Sequence, residues 1–326
     1  MSIRGNGMSG LKILRSEYEH LDGSKETLVR RVGDGSIITR FEKTPLPTKP
    51  TDVVCPHFLE LKWATGCPFR CSWCYLNGTL RFAPRKTKPY LKDFGKIEQH
   101  VRAFLENADG GKEVLNSGEL ADSLMWERNG NPFSKFILSL FQGRNGHKVL
   151  FVTKSNHIEN FLEGDYRGNA IISFSLNAEA VARRFENGAP TIAERIEAAN
   201  RLSKAGYEVR LRIDPMVPVS DWESAYKSLI DEIFSRFIPS RITLGSLRGL
   251  QSTINQATDK SWVNYLSEKS NWGKRIEFNT RYRMYEELTK YLEGKYSFTR
   301  VALCKETLEI WDKLNMDYKN IKCNCI

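Results

Sequence analysis

Apolar and polar positions alternate in blocks along the 326-residue chain. Short runs rich in β-branched and aromatic residues recur, each followed by a polar turn and a segment with apolar positions at helical spacing. The runs are FLELKWATG (58–66), KEVLNSGE (112–119), HKVLFVTKS (147–155), NAIISFSLN (169–177), YEVRLRIDPMVP (207–218) and SRITLGSLR (240–248). Helical segments lie between them, such as LKDFGKIEQHVRAFLEN (91–107) and TIAERIEAANRLSKAG (191–206), the second ending on Gly206, a usual left-handed terminator. This alternation predicts an α/β fold: a parallel sheet with right-handed crossovers, a partial (β/α)6 barrel. In such folds the chemistry sits at the C-terminal ends of the strands.

Residues 1–55 are polar and rich in Gly, Lys and Pro, and TPLPTKPTD (44–52) reads as an extended linker, so an N-terminal arm is expected there. Residues 56–250 carry the barrel pattern. Residues 251–326 break the rhythm with a helical segment, RYRMYEELTKYLEG (281–294), and a cysteine-bearing tail. This C-terminal extension is expected to close the barrel mouth. The sequence has no internal repeat and no low-complexity tract.

The formal net charge of +10 and a pI near 9.2 suggest a polyanionic partner, because clustered Lys and Arg release counterions from phosphate backbones. No apolar stretch reaches the roughly 18 residues of a transmembrane helix, so no membrane partner is expected. The first residues, MSIRGNGMSGLKILRSEYEH, lack the apolar core of a signal peptide, and a cytoplasmic protein is expected. Seven cysteines in a chain of this size and compartment suggest metal binding before disulfides.

Three of them fall in TGCPFRCSWCYL (65–76), as Cys67, Cys71 and Cys74, in the loop after the first barrel strand. A closed structural zinc and a fully ligated iron–sulfur cubane each want about four protein ligands. A cubane held by three thiolates keeps one iron open to a substrate or cofactor. CxxxCxxC followed by an aromatic residue, Tyr75, resembles the signature of the radical S-adenosylmethionine (SAM) superfamily. The resemblance implies a [4Fe-4S] cluster whose open iron chelates SAM, whose cleavage gives a 5′-deoxyadenosyl radical that abstracts a hydrogen. A zinc knuckle is the alternative. Ser117-Gly118-Glu119, ending the second strand, resembles the superfamily segment that holds the SAM amino group.

Further segments are similar to the spore photoproduct lyase family, which acts on thymine in DNA: Cys74-Tyr75-Leu76, FVTKS (151–155), SFSLNAE (173–179), RFENGAPTIAERIEAANRLSKAGYEVRLRIDPMVP (184–218) and Asp221-Trp222-Glu223. The likeness runs over residues 58–248, and Cys304-Lys305-Glu306 and Cys323-Asn324-Cys325 extend it. By position, the resemblance implies that Lys154 and Ser175 contact SAM, Lys154 by pairing with its carboxylate. Asp214 either contacts the ribose or caps a turn, and Tyr75 is either part of a radical relay or packing. Two positions depart from the family. Its hydrogen-donor cysteine near the end of strand two is here Asn116, whose N–H bond is too strong to replace a thiol, and a tyrosine before the third cysteine is here Trp73. These departures favour a base-tailoring enzyme that isomerises or rearranges a modified thymine over one that reverses the photoproduct.

Cys304, Cys323 and Cys325 can form an auxiliary metal site, supply a thiol donor, with Cys325 as the catalytic candidate, or pack inertly. RFAPRKTKPYLK (81–92) mixes basic and aromatic residues beside the cluster loop, making Arg81, Arg85, Lys86 and Lys88 candidate DNA contacts for a flipped nucleotide. Arg183, Arg184, Arg248 and Trp126 are further candidates. The functions weighed are a radical SAM enzyme on a thymine base in DNA, served by a reductant such as flavodoxin or ferredoxin, the same chemistry on a peptide or small molecule, and a nonenzymatic metal-binding nucleic-acid module.

Overall fold

The computed structural model describes residues 10–82, 88–107, 112–143 and 146–326. Its main sheet has ten strands: β1 (Ile13–Glu19), β2 (Lys25–Val32), β3 (Ile38–Phe41), β4 (Phe58–Leu61), β5 (Val114–Asn116), β6 (Lys148–Thr153), β7 (Ala170–Leu176), β8 (Glu208–Met216), β9 (Arg241–Ser246) and β10 (Val301–Leu303). Spatial order follows chain order from edge to edge. Neighbours from β4 to β10 run parallel, which requires crossovers, and helices supply them. These are α1 (Phe94–Asn107), α2 (Phe133–Phe141), α3 (Glu159–Glu163), α4 (Glu179–Phe185), α5 (Ile192–Lys204), α6 (Trp222–Phe234) and α7 (Phe278–Tyr296). All six predicted strands form, and the α/β fold is the predicted one.

Local chemistry explains the elements. In β7, AIISFSL, every residue is buried, as expected of a strand covered on both faces. Thr191 opens α5 with a capping box: its hydroxyl accepts from the Glu194 amide at 3.2 Å while the Glu194 carboxylate accepts from the Thr191 amide at 2.7 Å. Gly206 (φ 86°) terminates the helix in the left-handed region. Ile192, Ile196 and Leu202 bury one face of α5, each contributing about 1.5–3 kcal/mol.

Three expectations are corrected. The first 55 residues are not only an arm, because residues 13–41 form three antiparallel strands that extend the sheet through pairing of β3 with β4 (Ile38↔Leu61 to Phe41↔Phe58). Residues 42–57, by contrast, carry neither helix nor strand, as the proline-rich linker predicts. The C-terminal extension is not purely helical, since β10 adds a further parallel strand. Nor does the tail close the mouth.

Residues 323–326 instead fill the floor of the sheet's inner face, near the strand starts. Two cross-strand rows face inward, Ser173–Arg210–Arg241 and, one layer up, Ser175–Arg212–Thr243. Arg210 donates to the carbonyls of Asn324 (3.0 Å) and Ile326 (2.6 Å), and Arg241 to those of Cys323 and Ile326, both at 3.0 Å. Asn324, fully buried, donates through Nδ2 to Ser173 Oγ (2.7 Å) and the Leu211 carbonyl (2.8 Å), and its Oδ1 accepts from Thr243 Oγ1 at 2.9 Å. Every polar group of that side chain is thereby satisfied.

Candidate functional site

Above the tail a cavity of about 390 Å³ opens at the C-terminal ends of the strands. Cys67, Cys71 and Cys74 line it from the loop after β4. That loop is pinned from below by a two-residue antiparallel pairing of Arg70–Cys71 with Glu186–Asn187, and the Ser72 amide donates to the Phe185 carbonyl at 2.8 Å. Burial raises all three thiols, Cys71 to about 12, and their mutual proximity adds to the rise for Cys67 and Cys71. Burial disfavours their thiolate forms, so a bound cation has to supply the charge that stabilises them.

Among the described residues no group of three His, Cys, Asp or Glu closes on a single ion. Three thiols in one loop can each take a separate iron corner of a cubane. The donor set therefore fits a [4Fe-4S] cluster with one iron free of protein.

Gly118 and Glu119 line the cavity wall beside the cluster loop. A side chain at Gly118 would meet Val152 Cβ at 2.5 Å, so only glycine brings the backbone this close to β6. Asn116 and Ser117 do not line the cavity. Asn116 is fully buried: its Oδ1 accepts from the Gly118 amide at 2.9 Å and its Nδ2 donates to Glu119 Oε1 at 3.1 Å. Ser117 Oγ donates to the Leu150 carbonyl at 2.9 Å. Both residues hold the turn that presents Gly118 and Glu119.

Lys154, just past β6, lines the cavity with its Nζ 3.8 Å from the buried Glu186 carboxylate. Burial pulls its pKa down, but Glu186, with Cys71 beside it, outweighs burial and raises it above the ordinary lysine value. Its amide donates to Asp122 Oδ2 at 2.7 Å. Ser175 and Asp214 also face the cavity, one strand apart. Asp214 is held by Arg248 through two bonds of 2.9 and 3.0 Å. Burial alone would raise this carboxyl, yet Arg248 and Arg212 bring it below its ordinary value. Tyr75 is 41 % exposed, and it lines the cavity while donating its hydroxyl to the Glu119 carbonyl.

Cys325 rises from the floor into the same cavity, where Arg212 Nη2 donates to its sulfur at 3.0 Å. A hydrogen bond from Cys323 is the largest influence on Cys325 and, with Arg212, lowers its pKa to about 6 against the opposing effect of burial. Cys304, Cys323 and Cys55 line the cavity too. Sequence reasoning missed Arg212, Asp122 and Glu186. Only Arg212 carried a signal: in RLRIDP the period of a strand puts Arg210, Arg212 and Asp214 on one face. Glu186 reaches Lys154 through pairing that links positions more than a hundred residues apart.

Apart from Arg248, which lines the cavity, the basic candidates lie away from this centre. Arg81 is exposed, donates to the Gly78 carbonyl at 2.8 Å and sits over the Phe82 ring, itself 84 % exposed. Lys88 and Tyr90 are exposed beyond it, while Arg85 and Lys86 lie outside the described residues. Arg183 pairs with Glu179, Arg184 lies over Phe185, and Trp126 does not line the cavity. Trp73 does line it, stacked obliquely on Phe185 with ring centroids 4.9 Å apart. Among the described residues no helix is long and apolar enough to cross a membrane.

Comparison with known proteins gives one answer. The family model for spore photoproduct lyase matches residues 58–314. The spore photoproduct lyase of Bacillus subtilis (strain 168) is 28% identical over 180 residues, 53% of this chain and 50% of that protein. That of Geobacillus sp. (strain Y412MC61) is 27% identical over 173 residues, 52% of this chain and 49% of its own length. The chain thus spans about half the length of these curated relatives. Among solved structures, spore photoproduct lyase complexed with dinucleoside spore photoproduct superposes with a TM-score of 0.64 at 18% identity, over 75% of each chain. A mutant of that enzyme with bound AdoMet and the same dinucleoside gives 0.62 at 17%, also over 75% of each chain. At such identities the structures speak for the shared fold alone, but the family match runs from the first barrel strand past the last. This chain belongs to the spore photoproduct lyase family.

Proposed function

We propose that the protein is a radical SAM enzyme acting on a thymine-type base in DNA. The observation behind this reading is that one cavity gathers the three cluster cysteines, Gly118–Glu119, Lys154, Ser175 and the tail thiol Cys325. When bound, a [4Fe-4S] cluster on Cys67, Cys71 and Cys74 together with SAM supplies a carbon radical that takes hydrogen from the substrate. Lys154, kept charged by Glu186, pairs with the SAM carboxylate. Glu119 holds the amino group in the orientation that Asn116 imposes. Ser175 borders the nucleoside, and Asp214, its charge committed to Arg248, stands beside it as a ribose partner.

Tyr75 stands between the cluster loop and the cavity as the relay candidate. Cys325, in its protonated form, is the candidate that would quench a substrate radical from below. Exposed Arg81, Phe82, Lys88 and Tyr90 form a rim of cations and rings suited to phosphates and an extruded nucleotide. A one-electron carrier of the flavodoxin or ferredoxin type serves as reductant.

Photoproduct reversal is the first reaction to test, because Cys325 gives the cavity a thiol although Asn116 stands at the family's donor position. Tailoring of a modified thymine is the second, favoured by Asn116, since hydrogen returned from deoxyadenosine needs no thiol. The test uses anaerobically reconstituted, dithionite-reduced protein with SAM and measures 5′-deoxyadenosine without DNA, with photoproduct-bearing DNA, and with DNA carrying modified thymines. Stimulation by one DNA identifies the reaction. SAM cleavage indifferent to every DNA overturns the substrate assignment.

A further inference from the structure

The proposed reaction uses one tail thiol and leaves a second beside it. Cys323 and Cys325, two positions apart on the tail, both line the cavity, and the Cys325 sulfur accepts from Arg212 Nη2 at 3.0 Å. The residue between them cannot drift, because Asn324 is fixed to Ser173, Leu211 and Thr243, and the Cys323 carbonyl is fixed to Arg241. Two neighbouring thiols thus enter one cavity from one immobilised segment. The other two tail-side thiols are engaged elsewhere: Cys304 accepts from Arg248 Nη2 at 3.3 Å, and Cys55 donates to the Pro56 carbonyl at 3.6 Å.

We infer that Cys323 and Cys325 form a reversible disulfide by exchange with a small-molecule disulfide, making the cavity floor a redox-active dithiol. The Cys325 thiolate attacks the incoming disulfide X–S–S–X, giving a mixed disulfide and releasing X–S⁻. Cys323 then attacks the Cys325 sulfur and passes its proton to the departing sulfur, so the products are the Cys323–Cys325 disulfide, X–S⁻ and X–SH. The chain loses two electrons and the small disulfide gains them. A small dithiol reverses the sequence.

The roles follow from the environments. Cys325 is lowered to about 6 and attacks, whereas its hydrogen bond to Cys325 and burial raise Cys323 well above the ordinary thiol value, which suits the resolving position. In the disulfide state Cys325 has no hydrogen to give. That last link rests on the function proposed above, whereas the disulfide does not.

The test uses the full chain without iron or SAM, treated with glutathione disulfide, quenched in acid, alkylated and read by intact mass and peptide mapping. Expected is the loss of two alkylatable thiols and a tail peptide two hydrogens lighter, restored by dithiothreitol. Cys323→Ala should stop at a glutathione adduct on Cys325, and Cys325→Ala should leave Cys323 alkylatable. A crosslink from Cys325 to Cys304 or Cys55, or Cys325 in the Cys323→Ala variant that takes no glutathione, overturns the inference. SAM cleavage by reconstituted enzyme is measured in parallel: its absence with the disulfide present removes the proposed function and leaves the dithiol standing.

Discussion

Replacing Cys323 by alanine should move the titration of its neighbour. Cys325 drops from an ordinary 9.0 to about 6, with the Cys323 hydrogen bond as the largest cause and Arg212 assisting against burial. Cys304, Glu119, Cys55 and Arg241 also face the pair. At pH 7 a thiol of pKa 6 is about 90% thiolate and one of pKa 9 about 1%, a ratio of roughly 90. Nucleophilicity works the other way, since a Brønsted slope of about 0.4–0.5 makes the more basic thiolate roughly 15–30 times faster. The net change in alkylation rate at pH 7 is then only about 3–6-fold even for a complete reversal.

The midpoint of the pH profile is therefore the proper readout. Site-resolved iodoacetamide rates between about pH 5 and 10 on the iron-free chain should place the wild-type midpoint near 6 and that of Cys323→Ala at least about one unit higher. The sign is that of an acid whose folded pKa is depressed: the stabilisation is full above the ordinary thiol value and is lost as pH falls through about 6. A wild-type midpoint near 9 refutes the reasoning outright, and one near 6 that Cys323→Ala leaves unmoved refutes the role of Cys323 and gives Arg212 the larger part.

Three further outcomes are expected. Cys71→Ala should drop the iron taken up on anaerobic reconstitution from about four per chain to near zero, by iron assay and absorbance, while Cys304→Ala leaves it unchanged. Asn116→Ala should raise the KM for SAM about tenfold or more without altering iron content, because Glu119 loses its orienting amide; an unchanged KM would return Asn116 to the status of bystander. Arg248→Met leaves Asp214 buried without its cation and should cost about 3–5 kcal/mol in denaturant unfolding, most of it recovered in the Asp214→Asn, Arg248→Met double variant.

The strands that build the catalytic face were readable because they are covered on both sides and so carry dense apolar runs, which in β7 only Ser173 and Ser175 interrupt. The edge strands were not. β1, ILRSEYE, buries only Tyr18 and leaves the rest half-buried or exposed, and β2 carries Lys25, Arg30 and Arg31 on exposed positions, so their composition imitates a polar arm. The site divides in the same way. Cys67, Cys71 and Cys74 lie within one loop and announce themselves by spacing, whereas the Arg212–Cys325 contact joins residues 113 positions apart, and no local pattern encodes it. Asn116 shows a third case: it stands at a meaningful position in the motif, but its side chain is spent on the Gly118 amide and the Glu119 carboxylate, a use visible only once the turn is folded.

The docking of the last residues against β7, β8 and β9 makes the cavity thiol conditional on completed folding. Asn324 stitches Ser173, Leu211 and Thr243 together only when all three strands are in register, and a slip of one residue in β8 would turn Arg210 and Arg212 to the opposite face. A molecule with an unfinished sheet can still present its cysteine loop, but it has no floor and no Cys325 beneath a bound substrate. Deleting residues 323–326 would mimic that unfinished state.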